Sequence, residues 1–201
     1  MKNNIKQILV LTMICTMGSI SLLKAQTSYH LAVSPNVTIK VLGSSNVHDW
    51  TMVSTAMESK GDFNLADHRL QSFSFSLAVT SLKSDHASMD DRTYKSVNAK
   101  KYPGISYKLA SAVVTGDKSK YIIETKGNLT IAGVTQPINM EVTAIVNADK
   151  TITCTGSKKI QLTDYGIKPP TFMLGAMKVY NDLTIQFNLV YKNQTLLSKT
   201  L

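Results

Sequence analysis

The chain is 201 residues long, carries a formal net charge of +9 and contains two cysteines. Its length fits one domain, and a basic balance in an exported chain favours anionic headgroups or wall polymers over nucleic acid. With Glu58, Glu124 and Glu141 its only glutamates, it offers no carboxylate pair for general acid and base catalysis.

Lys2 and Lys6 precede an apolar run from Ile8 to Leu23, and Leu23-Lys24-Ala25 places a small residue before Gln26. This order is that of a secretory signal peptide over residues 1–25, and it predicts a periplasmic or secreted protein. Cleavage removes Lys2, Lys6 and Lys24, taking the charge from +9 to +6. It also removes Cys15. Cys154 then stands alone, so no intramolecular disulfide can form.

Along residues 26–201 the pattern is one of alternation. Val37, Ile39 and Val41 end at Gly43-Ser44-Ser45, and a second strand is expected from about Val47 to Asp62. Phe73, Phe75, Leu77 and Val79 alternate with small and polar residues, the pattern of a half-buried strand. The rhythm then breaks. Ser88 offers a helix cap, Asp90 and Asp91 suit a first turn, and Met89, Thr93 and Val97 recur at helical spacing, which predicts an amphipathic helix from about Asp85 to Ala99.

Alternation resumes at Ile105, Tyr107, Leu109 and then Val113, stopping at Gly116-Asp117. Tyr121, Ile123, Leu129 and Ile131 lead through Gly133 into Ile138, Met140, Val142, Ala144 and Val146. Gly133 can take the positive φ of a tight hairpin, and Pro137, lacking a donor, belongs at a strand start or an edge. Ile152, Cys154, Gly156, Lys158, Ile160 and Leu162 form the next run, which makes Cys154 a buried, inert thiol. The segment Gly166 to Met177 gathers large apolar residues in a loop or short helix, of the kind that covers something. Leu183, Ile185, Phe187, Leu189 and Tyr191 close the series.

Eight long strands without βαβ units make an antiparallel, all-β architecture. A sandwich and a closed barrel both satisfy it, and glycines inside strand patterns, Gly127 and Gly156, favour the barrel. Such a barrel is wide enough for packed side chains or for one small ligand.

Chemical motifs are few. His30, His48, His68 and His86 show no zinc-ligand spacing. His48-Asp49-Trp50 reads as a polar turn entering a strand, with Trp50 in the core and a metal role for Asp49 as the competing reading. The serines lack a nucleophile elbow. No enzyme, metal site or cofactor is expected.

Two stretches are recognisable together: Gly127-Asn128-Leu129-Thr130-Ile131-Ala132-Gly133-Val134-Thr135-Gln136-Pro137-Ile138, and Leu162-Thr163-Asp164-Tyr165-Gly166-Ile167. With Ser45 to Trp50, Phe73 to Leu82 and Tyr102 to Tyr107, they make the chain resemble the YceI-like family of secreted lipid-binding proteins from about Tyr29 to Tyr191. The resemblance implies an extended eight-stranded antiparallel lipocalin-like barrel with one amphipathic helix. It also implies a non-covalent ligand in the lumen, a polyisoprenoid, isoprenoid quinone or similar lipid. Where the family has Arg-Asp and a Phe-Phe-rich helix, this chain has Met89-Asp90-Asp91-Arg92-Thr93-Tyr94.

On that likeness the lumen is expected to be lined by Trp50, Met52, Phe73, Phe75, Leu77, Ile105, Tyr107, Leu109, Ile123, Leu129 and Ile131. Phe172, Met173 and Met177 are expected at the mouth, where flexible thioethers adapt to varied chains. The partners implied are a hydrophobic small molecule and, transiently, an anionic membrane surface, with no nucleic acid; no oligomeric state follows. A filled lumen would instead make this a secreted structural or protein-interaction domain.

Overall fold

Alternating side chains oblige each strand to bury one face, and the sheet meets that demand by closing on itself into an eight-stranded antiparallel barrel with one helix. The computed structural model describes residues 28–32, 36–65 and 67–193; the expected signal peptide lies outside them. The strands are β1 (Ser28–Leu31), β2 (Thr38–Ser45), β3 (Asp49–Ser54), β4 (Glu58–Asn64), β5 (Arg69–Ala78), β6 (Gly104–Asp117), β7 (Lys120–Ile131), β8 (Val134–Val146), β9 (Ile152–Gln161), β10 (Thr171–Phe172) and β11 (Met177–Asn193). Helix α1 (Ala87–Ser96) lies between β5 and β6.

The staves of the barrel number eight because two of them are broken. β1 and β2 follow one another along the same side of β11, with Leu31 opposite Tyr191 and Thr38 opposite Asn188. Their other side takes β4 and β3, respectively. The strand expected from Val47 to Asp62 is therefore two strands, and Val47 sits exposed in the turn before them. Ser54 accounts for the break. Its buried hydroxyl donates to the Ala56 carbonyl (3.1 Å) and accepts from the Ala56 amide (3.2 Å), a local alternative to ladder pairing.

From β4 the neighbours run β5, β6, β7, β8, β9 and β11, and β11 meets β1 and β2 to complete the circuit. Closure through β1 pairs what would otherwise be the outer edges of β4 and β11. At the end where β2 stops and β3 starts, here the upper end, the ladder has two seams. β9 pairs with β11 as far as Gln161 but leaves β8 after the Val142–Gly156 pair. A 3-10 turn, Leu162–Tyr165, packs over this gap, and the Gln136 side-chain amide donates to the Asp164 carbonyl at 2.7 Å. Pro137 lies on this part of β8, which has no β9 neighbour, so the edge expected for it is found inside a strand.

The second seam separates β3 from β5. Among the described residues only the Val53–Lys83 bridge spans it in strand fashion, with N···O distances of 2.7 and 2.9 Å. α1 follows directly. It is shorter than expected, and His86 rather than Ser88 precedes it, without a side-chain cap bond. Asp90 turns back instead. Burial raises its pKa, but the Ser84 hydroxyl (2.7 Å) and amide (2.8 Å) donate to it and Lys83 Nζ lies 3.6 Å away, so the carboxyl is held below the usual range.

Two local features correct the alternation. In β6 the register slips between Leu109 and Ser111, so Ala112 and Val114 continue the inward phase while Val113 is 60% exposed. One extra residue exchanges the faces. In the β7–β8 hairpin both Ala132 (φ 49°) and Gly133 (φ 77°) are left-handed, the two-residue turn whose twist matches the flanking strands.

Glycines inside the strands take aromatic rings. A Cβ on Gly43 would overlap the Trp50 indole, one on Gly127 the Tyr107 ring, and one on Gly156 would lie 2.5 Å from the Phe187 ring. Each ring covers a bare stretch of backbone where the wall curves.

Candidate ligand-binding lumen

The inward faces do not meet in the middle. They enclose a cavity of about 410 Å³, within the roughly 300–1,000 Å³ typical of small-molecule sites. Phe73, Phe75, Ile105, Leu109, Ile185 and Phe187 line it and are only half-buried, because they face open space within the barrel. Towards the lower end, Phe63, Tyr121, Ile152, Cys154 and Tyr191 are buried and pack solidly.

That floor is aromatic. The Phe63 ring lies 5.3 Å from Tyr191 and 6.4 Å from Phe73, and Phe73 lies 6.1 Å from Tyr107. Tyr191 is fully buried, and its hydroxyl donates to Ser59 Oγ at 2.8 Å, since Ser59 itself donates to the Ser74 carbonyl. Burial drives the Tyr191 phenol far above its ordinary pKa and pushes the Cys154 thiol up to about 12. Neither group ionises near neutrality.

Trp50, Met52, Phe73, Phe75, Leu77, Ile105, Tyr107, Leu109, Ile123, Leu129 and Ile131 all line the cavity, and so do Phe172 and Met177. Met173 does not. It and Leu174 both have φ of 53°, in a 3-10 turn (Met173–Gly175) that swings them outward, leaving Met173 73% exposed and Leu174 fully exposed. Phe172 and Met177 stay inside because they pair across the β10–β11 ladder at the base of that turn.

Several lining residues were not singled out from the sequence. Ile39, Val41, Lys158, Ile160, Ile185 and Phe187 belong to strands whose alternation already placed them inward. The helix and its C-cap contribute Met89, Thr93 and Val97, at the helical spacing noted above, together with Arg92, whose guanidinium lies 4.7 Å from the Phe172 ring. β9 and β11, which carry four of the first six, were read only for burial.

Polar groups are sparse. Thr125 accepts from the Tyr107 hydroxyl (3.3 Å) and donates to the Met140 carbonyl (3.2 Å); burial raises the Tyr107 phenol. Trp50 Nε1 and Tyr165 Oη are buried without a partner among the described residues. Burial and the neighbouring Asp164 charge push Tyr165 up to about 12. His48 Nδ1 lies 2.8 Å from the Asp49 carbonyl, in a turn ordered by the Ser45 hydroxyl, which accepts the Val47 and His48 amides at 3.2 Å. Among the described residues no three His, Cys, Asp or Glu side chains come together as a metal site. What this lining can do chemically is remove an apolar chain from water.

The YceI-like domain family matches residues 24–191. BcnA of Burkholderia cenocepacia has a similar structure, with a TM-score of 0.67 at 17% identity, covering 80% of this chain and 98% of its own. A polyisoprenoid binding domain from Saccharophagus degradans implicated in plant cell wall breakdown gives 0.62 at 12% identity, over 82% and 98%. The Campylobacter jejuni YceI protein gives 0.55 at 19% identity, over 89% and 95%. At these identities the likeness is one of fold. No curated protein matches the chain in sequence.

Proposed function

The chain belongs to the YceI-like domain family, and from that premise we propose that it is an exported carrier which holds a long apolar ligand, a polyisoprenoid, isoprenoid quinone or similar lipid, in its barrel lumen. The observation that carries this reading is the hollow apolar interior of about 410 Å³. A structural or interaction domain would have no use for it, since interiors otherwise pack with few voids. The fold of the Saccharophagus polyisoprenoid binding domain supports the same ligand class.

Binding here is burial without turnover. At about 0.8 kcal/mol per CH₂, each isoprene unit contributes on the order of 3 kcal/mol before ordering costs. A few units give useful affinity. Residues 1–25 direct export, and an apolar tip at Met173 and Leu174, with Lys168 and Lys178 nearby in sequence, provides transient contact with an anionic membrane.

The test is native mass spectrometry of gently purified protein, followed by solvent extraction. A co-purified hydrophobic molecule, released by solvent, is the expected result, with Phe75→Glu purifying empty. A protein that is empty and takes up no added polyprenol overturns the reading. For export, the expected mature mass begins at Gln26.

A further inference from the structure

Lys158 stands in the inward phase of β9, between Cys154 and Ile160, both buried, and it lines the lumen. Its neighbour Lys159 takes the outer face and is exposed. Across the ladder Lys158 meets Ile185, and it lies two residues beyond the last β8–β9 pair. Among the described residues its ammonium has no hydrogen-bond or ion-pair partner.

The rest of the lining points the same way. Among the described residues, His48, His86, Arg92 and Lys158 are its basic residues and no aspartate or glutamate lines the cavity, although the chain has 13. Trp50 Nε1 and Tyr165 Oη, both donors, are buried without acceptors. They share one wall with Lys158: Trp50 pairs with Gly43, Gly43 with Leu183, and Leu183 with Ile160, while Tyr165 lies just beyond the end of β9. The indole leans over Gly43, toward β11 and β9.

A pure hydrocarbon filling this lumen would strip water from Lys158 and return nothing. A carboxylate or phosphate supplies both a counter-charge and acceptor oxygens. Building on the carrier reading, we propose that the cargo is an amphiphile with an anionic head, a carboxylate or phosphate monoester on an apolar chain, and that Lys158 receives the head.

Trp50, the only tryptophan, reports on the wall by its fluorescence. The protein, freed of lipid, is titrated with palmitate, hexadecyl phosphate, hexadecanol, acetate and inorganic phosphate. Palmitate or hexadecyl phosphate should bind about tenfold or more tighter than hexadecanol, and the stronger of the two identifies the head. Lys158→Met should abolish that preference, whereas Lys158→Arg should keep it. Equal affinity of wild type for acid and alcohol overturns the proposal while the carrier reading stands, as does a preference that survives in Lys158→Met. Acetate or phosphate binding as tightly as the chains also overturns it. If none of the chains binds, the proposal fails, and polyprenol uptake alone decides the carrier reading. Should Lys158→Met not fold, the wild-type comparison of acid with alcohol decides alone.

Discussion

Alanine at Gly43 puts a methyl group where the indole of Trp50 already lies. The added Cβ would be 2.5 Å from Cε2 and 2.6 Å from Cη2 of that ring, and it would overlap Cζ2. Carbon contacts settle near 3.5–4.0 Å, so the ring must retreat by about 1–1.5 Å. It can retreat only into the lumen. Overpacking of this kind costs about 1–3 kcal/mol, which for a chain of this size lowers Tm by about 3–10 °C. Gly104→Ala is the control, since its Cβ would meet only the Leu77 carbonyl at 3.8 Å, and it should change stability by less than about 0.5 kcal/mol. Calorimetry gives the melting points. Trp50 emission shifts if the ring moves, and hexadecanol affinity falls if it enters the binding volume. In a Trp50→Ala background the Gly43→Ala penalty should vanish, as a double-mutant cycle requires of two groups in contact. A Gly43→Ala protein that melts with the wild type, or a penalty that persists without the indole, refutes the reasoning.

Three further outcomes are expected. The Cys154 thiol rises from 9.0 to about 12, so its burial contributes stability that is intact below pH 9 and is lost as pH rises toward 12, where the unfolded chain ionises first; an alkaline urea series in which wild type and Cys154→Ala weaken in parallel contradicts this. Asp90→Asn should cost about 1–3 kcal/mol by weakening the bonds to Ser84, and because the folded carboxyl is held below 3.8, the wild-type advantage is present above that pH and disappears as pH falls through the folded value. Leu174→Asp should reduce co-sedimentation with anionic vesicles severalfold and leave Tm unchanged, since Leu174 packs against nothing; undiminished sedimentation removes the membrane role of that tip.

The strands and their inward residues were legible in the sequence because the period of two is written in every long stave, and the β7–β8 hairpin because its turn needs left-handed residues. What was hidden is informative. The slip at Leu109 and Ser111 adds a residue without altering composition, so Val113 reads as inward and lies outside. Ser54 breaks a stave through its own hydroxyl, and serine carries no such mark when it is one of many. Met173 turns outward through two consecutive left-handed non-glycine residues, a conformation no propensity favours. Lys158 stood in a readable alternation, yet a lysine there is equally compatible with a side chain that reaches solvent. Above all, hollowness is a difference between the space the staves enclose and the volume of the inward side chains, and strand patterning contains only the second quantity.

The two seams give the barrel unlike ends. Below, an aromatic floor packs solidly beneath the cavity, although β5 and β6 no longer pair beyond Ser74 and Lys108. Above, α1 and the Leu162–Tyr165 turn stand where ladders are missing, and segments with few such bonds are the ones that open at least cost. Arg92 against Phe172 ties α1 to β10 across that region, while Asp90, on the same helix, anchors it through Ser84. On the resemblance drawn from the sequence, Met89-Asp90-Asp91-Arg92 is also where the chain leaves the pattern of its family. Its departure thus falls on an element that stands beside an upper seam, and the inward wall is left to follow the shared fold.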